Sequence, residues 1–399
     1  MKLENNLCYK IKDEKKKFRH LSLFSGCGGM DIGINGNFEV IGNFIGSKKK
    51  WVKIPKTKFD TVFANDIKDS SRIFWEQNLK NTNTVFKHES IVDLVKKHKK
   101  GINIFPKNID LVTGGFPCQD FSVSGWRKGF DSHKSHLNTT KIKNKNETRG
   151  KLYLWMKEVI KITQPKFFIA ENVKGLTNLK KIYETIKNDF KNTGRGYKVF
   201  SREIFAPDFG IPQSRKRIFF IGVSKDFLKK NNIDFSEDDL FPEKEFSDKD
   251  TLFNKYLRYP ISKSFFVDLK EPAEEKIDLS QISHSKAKFF PKLQGNIEIK
   301  ENGFAPTIRS EHHGNIEFRY LKKTNGGKNK IDKGKIQRRL TVRECARIQT
   351  FPNNIKFVIK DGKNSISASS GYKLVGDSVP PLLSYKIIKK IEKILSKYP

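Results

Sequence analysis

Cys118 stands in the segment GGFPCQDFS, residues 114–122, directly after the apolar run Ile109-Asp110-Leu111-Val112. A tight Gly/Pro loop at the carboxyl end of a buried strand is where open α/β sheets place reactive groups. Pro117 fixes the backbone just before the cysteine, and Gly114 and Gly115 let a ligand come close. The chemistry on offer is nucleophilic catalysis, because a thiolate attacks strongly and later leaves readily. Four other segments flank this one in the chain. LFSGCGG (residues 23–29) is a glycine-rich turn in which Gly26, Gly28 and Gly29 let the backbone approach a ligand under a helix N-terminus. Downstream lie ENV (171–173), whose Glu171 ends an apolar run, QSRKR (213–217), and GDSV (376–379). Arg215 and Arg217, two residues apart on an extended segment, are expected to point to the same side. A carboxyl such as Glu171 at a buried strand end has its pKa raised, which suits a group that must hold a proton.

These residues need a scaffold. Strand-like runs occur at 20–24, 59–64, 109–112, 167–170 and 217–223. Between them, Leu152, Trp155, Met156, Val159 and Ile160 recur at helical spacing, as do Leu179, Ile182, Ile186 and Phe190, and Pro165 stops the first of these helices. This alternation predicts an α/β, doubly wound sheet. From about 224 to 335 the pattern gives way to polar, lysine-rich sequence with scattered aromatics, read as a second, smaller domain. A helix carrying Tyr385, Ile388, Ile391 and Leu395 is expected to pack back on the first. The division is therefore a basic N-terminal arm (1–18), a catalytic domain (19–223), a recognition domain (224–337) and a returning segment (338–399).

Composition narrows the partner. The 399 residues hold 79 Lys+Arg against 44 Asp+Glu, a formal net charge of +35. Such an excess points to a polyanion, since cationic side chains that neutralise phosphates supply much of the affinity for nucleic acid. The four cysteines (Cys8, Cys27, Cys118, Cys345) show neither metal-type pairing nor a disulfide pattern, so no metal is expected. No apolar run approaches the ~20 residues that span a bilayer. The charged N-terminus does not read as a secretory signal, and the expectation is a cytoplasmic protein without membrane contact.

In this order, from Leu21 to about Tyr385, the motifs resemble those of the DNA (cytosine-5) methyltransferases. The resemblance implies a Rossmann-like, S-adenosyl-L-methionine-dependent methyltransferase fold with a separate target-recognition domain, double-stranded DNA as substrate, and a flipped target base. It implies Cys118 as the nucleophile at cytosine C6, Glu171 at N3, Arg217 at O2, and Arg215 near the ring or a phosphate. For the cofactor it implies Phe24 and Ile67 on the adenine, Asp66 on the ribose hydroxyls, Ser90 and Ile91 at the third strand end, and Pro117, Leu152, Asp377 and Ser378 around the rest. For DNA it implies a closing loop bearing Ser122 and Arg127, and recognition by Thr307, Ile308 and Arg309. It also implies Arg339, Arg343 and Arg347 as structural ion-pair partners, and Asn172 as a brace for the cysteine loop. One chain carrying both catalytic and recognition parts points to a monomer with no obligate protein partner, and by analogy the chain is bacterial and genetically linked to a restriction endonuclease.

Two positions depart from the family pattern. Ser90 stands where an aspartate usually holds the adenine amino group, and Asp377 where asparagine is common. A basic stretch of about twenty residues around 42–58 looks inserted. Rival readings are a tRNA cytosine-5 methyltransferase, a non-catalytic DNA-binding relative and a nicotinamide-dependent oxidoreductase. The roughly 110-residue recognition region and the basic excess favour duplex DNA over tRNA. The retained Cys118, Glu171, Arg215 and Arg217 argue against a silent relative, and the P-C-Q loop against an oxidoreductase. A metal at His312 and His313 lacks a second cluster of ligands.

Overall fold

Alternation along the strands decides which layer each residue serves. In β7 (Phe167–Val173), Phe167 and Ile169 enter one core cluster and Phe168 and Ala170 the other. The same division holds in β9 (Lys216–Ser224), with Phe219 and Ile221 on one side and Ile218 and Phe220 on the other. A strand apolar on both faces must be covered on both, the signature of a doubly wound sheet. The computed structural model describes residues 17–79, 84–117, 151–247, 256–260, 265–266, 268–286, 297–300, 303–310, 317–325, 327 and 336–398.

The sheet also contains β1 (Phe18–Leu23), β4 (Phe59–Asp66), β5 (Val85–His88), β6 (Leu111–Gly115) and β8 (Tyr197–Phe205), in the order β5-β4-β1-β6-β7-β9-β8. All pairs are parallel except the two made by β9, which runs antiparallel to both β7 and β8. The strand order reverses beside β1, so the crevice above the carboxyl ends of β1 and β6 is the expected ligand site. The hairpin β2 (Gly36–Ile41) and β3 (Trp51–Lys56) is separate from this sheet and falls largely within the basic insert. Neither it nor β8 was legible as strand. Most of β8 is only half-buried, so its sequence, YKVFSREIF, lacks clean alternation.

Helices α3 (Ile91–Lys99), α4 (Leu152–Thr163) and α5 (Lys180–Lys191) cover one face. Helix α1 (Gly29–Asn35) and the terminal α11 (Pro381–Lys397) cover the other, and the returning helix packs as expected. Their approach is close: a Cβ added at Gly33 would lie 2.2 Å from the Pro381 carbonyl oxygen. Helix α2 (Asp69–Asn78) joins a third cluster with α9 (Val342–Ile348) and α10 (Ala368–Asp377).

Helix α9 begins at a capping box legible in T-x-x-E. Thr341 Oγ1 accepts from the Glu344 N–H at 3.0 Å, and the Glu344 carboxylate accepts from the Thr341 N–H. Beyond β9 come α6 (Lys225–Asn231) and α7 (Glu237–Leu240), whose Phe227 and Leu240, with Phe241, still pack in the sheet's core. After these, the described residues up to 337 hold only β10 (Phe246–Ser247), β11 (Leu257–Arg258), the single turn α8 (Leu279–Ile282) and one 3-10 turn. None of the described helices is long and apolar enough to cross a membrane.

Candidate active site at the carboxyl edge of the sheet

Strand β1 ends in a backbone built for close approach. Phe24 has φ 52°, a left-handed conformation that a bulky residue adopts only under local constraint, and Gly26 and Gly28 follow at 53° and 66°. A Cβ at Gly26 would meet nothing within 4 Å, whereas one at Gly29 would lie 1.9 Å from Ser378 Oγ. The first glycine therefore faces open space and the last is pressed against the turn from α10 into α11. Trp75 Nε1 donates to the Gly26 carbonyl at 3.1 Å, holding the turn from behind.

Asp66, at the end of β4, is buried. One of its carboxylate oxygens accepts from the Gly26 N–H and the other from the Lys68 N–H, both at 2.8 Å. Each oxygen keeps a lone pair for a further donor. The Ile67 carbonyl interacts with His88 Nε2 at 3.0 Å. Ser90 is the N-cap of α3, its hydroxyl accepting from the Val92 N–H, and Ile91 opens that helix inside the core. Glu89 pairs with Lys97. Leu152 opens α4 and is likewise buried in the core. Asp377 accepts from Lys68 Nζ at 2.8 Å, and Ser378 Oγ donates to the Val379 carbonyl.

Cys118, Ser122 and Arg127 lie outside the described residues, as do His312 and His313, but the last residues before the cysteine are placed. Gly115 stands in register with Glu171 across β6 and β7, and a Cβ there would lie 3.2 Å from Glu171 Oε2. Asn172 Nδ2 donates to the Phe116 carbonyl at 3.2 Å, and Pro117 is half-buried just beyond. Asn172 thus holds the chain two residues ahead of Cys118. Arg217 Nε lies 3.2 Å from Glu171 Oε1. Burial raises the Glu171 pKa, the Arg217 and Arg215 charges oppose that rise, and Asp377 adds to it. The resultant is upward.

Both arginine charges bear on Glu171, but the hydrogen bonds of Arg215 run elsewhere. Arg215 precedes β9 and is 1% exposed. Its guanidinium donates to the carbonyls of Ile308, Gly376 and Ser378 at 2.8–3.2 Å. It clamps the segment holding Thr307 and Ile308 to the α10–α11 turn. Thr307 Oγ1 donates to the Ser214 carbonyl at 2.7 Å, Ile308 is buried, and Arg309 Nη2 lies 3.9 Å from Glu317.

Gln213 and Gln349, which single-sequence reasoning did not pick out together, complete the clamp. Gln213 Nε2 donates to Gln349 Oε1 and to the Ile348 carbonyl, and Gln213 Oε1 accepts from the Ile308 N–H. Lys68 was also missed, because a lysine after a strand reads as surface charge. Arg343 and Arg347 pair with Asp278 and Asp268, whereas Arg339 stacks on Phe318, 3.9 Å from ring centroid to guanidinium carbon. Burial pushes the Cys27 thiol up to about 12 and Cys345 also upward, so both are unreactive packing residues.

A family model for C-5 cytosine-specific DNA methylases matches residues 18–393. The chain is 30% identical to the Type II methyltransferase M.FnuDI of Fusobacterium nucleatum, over 94% of each protein. It is 28% identical to M.NgoPII of Neisseria gonorrhoeae, over 94% of this chain and 96% of that one. Its fold is similar to that of the Dnmt2 methyltransferase of S. pombe, with a TM-score of 0.58 at 17% identity, covering 96% of this chain and 100% of that one. With the glycine turn, Asp66, Glu171 and Arg217 gathered at one edge of the sheet, the chain belongs to the C-5 cytosine-specific DNA methylases, transferases that move a methyl group from S-adenosyl-L-methionine to carbon 5 of cytosine.

Proposed function

We propose that this chain methylates one cytosine within a specific duplex sequence, through base flipping and a transient bond between Cys118 Sγ and cytosine C6. It serves as the protective methylase of a restriction–modification pair. The observation that carries the reading is the pair of buried Glu171 and half-buried Arg217 set against Gly115, three residues before Cys118.

Cytosine C5 is a poor nucleophile. A thiolate that adds to C6 breaks the C5–C6 double bond, moves electron density to C5 and builds charge toward N3 and O2. Glu171, its pKa raised by burial, holds a proton against N3, and Arg217 donates to O2. Once C5 carries the methyl group that the cofactor would supply, loss of the C5 proton expels the thiolate and restores the C5–C6 double bond. S-adenosyl-L-methionine supplies the electrophilic methyl group when bound. The residues fit that molecule: Gly26 faces open space, Asp66 keeps acceptor capacity for two ribose hydroxyls, and Phe24 is held in a strained conformation beside them. Ile67, Pro117, Asp377 and Ser378 border the same pocket. Ser90, Ile91 and Leu152 shape its wall through the helices they open.

Arg215 is a positioning residue in this reading, joining the recognition segment to the cofactor side. Ser122 and Arg127 belong to the loop that closes on DNA. Thr307, Ile308 and Arg309 stand beside the flipped base, in a recognition region within 224–337 whose first helices, α6 and α7, stay on the sheet. The enzyme acts as a monomer in the bacterial cytoplasm. The relatives named as Type II methyltransferases and the +35 charge support the DNA partner and the protective role. The test offers methyl-tritiated cofactor with duplex DNA or bulk tRNA. Label entering cytosine C5 of DNA, at one sequence by bisulfite mapping, supports the proposal. Label confined to tRNA overturns it.

A further inference from the structure

The basic insert is a built finger, and its position assigns it a partner. Its root lies at the amino edge of the sheet, where the Thr57 N–H donates to the Asn35 carbonyl just before β4 begins. Strands β2 and β3 pair from Gly36↔Lys56 to Ile41↔Trp51, a ladder of about 20 Å at ~3.4 Å per residue. The tip is closed by Gly42 N–H donating to the Lys50 carbonyl. It reaches the opposite edge, where residues 206–215 join the end of β8 to the start of β9: a Cβ at Gly210 in that linker would lie 1.9 Å from the Phe44 carbonyl oxygen. The hairpin thus carries its tip to the edge of the sheet that holds Glu171 and Arg217.

Apolar residues fix it there. Phe38, Val40, Phe44 and Ile54 are buried, and the Phe44 ring meets Phe265 edge-on at 5.3 Å. Arg347 lies over the Trp51 ring at 5.3 Å, and Lys50 Nζ approaches Asp268 at 3.8 Å. Phe265 and Asp268 belong to the region read above as target recognition. Lys48, Lys49 and Lys50, consecutive at the tip, are all exposed, and among the described residues only Lys50 of the three has a carboxylate partner.

We propose that the tip of the β2–β3 hairpin, residues 47–50, is a second contact to duplex DNA, in which Lys48 and Lys49 meet backbone phosphates beside the recognition region. The inference rests on the duplex-DNA reading of the site. A phosphate contact carries no sequence information but adds to the salt dependence of binding.

The test compares the salt dependence of duplex binding for wild type, Lys48→Gln/Lys49→Gln, and Lys229→Gln/Lys230→Gln. The last pair makes the same charge change at exposed positions on α6, which follows β9 at the amino edge. We expect the slope of log K against log salt to fall in magnitude by about 0.9 for each phosphate that the tip variant no longer neutralises. Target and non-target duplexes should be affected alike, with the α6 variant matching wild type. Equal slopes in tip variant and wild type, or equal reductions in the two variants, overturn the finger while leaving the catalytic reading intact. Failure of wild type to bind duplex at all overturns both.

Discussion

Glu171 and Arg217 meet diagonally across the antiparallel pair of β7 and β9: Arg217 is in register with Val173, yet its Nε lies 3.2 Å from the Glu171 carboxylate two residues back. Diagonal partners on one sheet face are within reach of long side chains. The carboxyl is therefore buried but flanked by a cation, and the balance of the two leaves its pKa raised.

Glu171→Gln keeps the shape and a hydrogen-bond donor but cannot exchange a proton with N3. We expect kcat to fall about 10²–10³-fold, the range found on removing a donor from developing charge, with binding of S-adenosylhomocysteine by calorimetry unchanged. In wild type the protonated form works, so activity should decline as pH rises through the raised pKa, and this alkaline limb should be absent in the variant. Unchanged kcat would remove Glu171 from the reaction.

Arg217→Met removes the larger of the two cationic effects that oppose burial at Glu171. The Glu171 pKa must then rise further, so the alkaline limb of the residual activity should move to higher pH, while the maximal rate should drop with the loss of the proposed O2 donor. A limb that stays in place, or moves to lower pH, would show that Arg217 does not set the protonation of Glu171.

Gly29→Ala places a methyl group against Ser378 Oγ and 2.6 Å from the Val379 carbonyl oxygen, which is backbone. Overpacking of this kind costs ~1–3 kcal/mol. We expect a lower melting temperature together with weakened cofactor binding, because the glycine turn cannot settle without moving the α10–α11 corner. A variant with wild-type stability and affinity would contradict the close packing.

Asp31 lies buried beneath this turn, 3.8 Å from the equally buried His20, which sits between Thr61 Oγ1 at 2.9 Å and Thr113 Oγ1 at 2.7 Å. Burial raises Asp31 to about 7 and lowers His20 to about 3, so both are neutral near pH 6. Asp31 is raised above its unfolded value. Its contribution is complete below about pH 4 and is lost as pH climbs through about 7. His20 is depressed. Its contribution is present above its unfolded value and is lost as pH falls toward about 3. Between these limits the two slopes oppose each other. Asp31→Asn removes the falling one, so the stability of the variant relative to wild type should improve from pH 4 to pH 7, by at most ~1.4 kcal/mol per pH unit. Thermal melts across that range check the sign.

How much of this was legible in the sequence depended on where the information sits. The interior strands β7 and β9 were, because Phe167–Ala170 and Ile218–Val223 are short runs apolar on both faces. The brace at Asn172 came from the family resemblance, and its amide does hold the Phe116 carbonyl just ahead of the cysteine. The three carbonyls that accept from Arg215, one position before β9, come from segments about 90 and 160 residues away and leave no local pattern. Ser90 looked like an absent aspartate but is also the N-cap of α3. The Gln213–Gln349 contact joins residues 136 apart and leaves no local pattern. The insert was visible only as charge; its buried Phe44 and Ile54 became meaningful once Phe265 and Arg347 were placed against it.

The central claim is the bond between Cys118 and cytosine C6. A duplex bearing 5-fluorocytosine at the target tests it directly, since fluorine at C5 cannot leave as a proton and the adduct cannot resolve after methyl transfer. With cofactor present, wild type should form a protein–DNA complex that survives denaturing electrophoresis, and Cys118→Ser should form none while still binding the duplex. A complex that persists in Cys118→Ser, or none in an active wild type, would contradict the account.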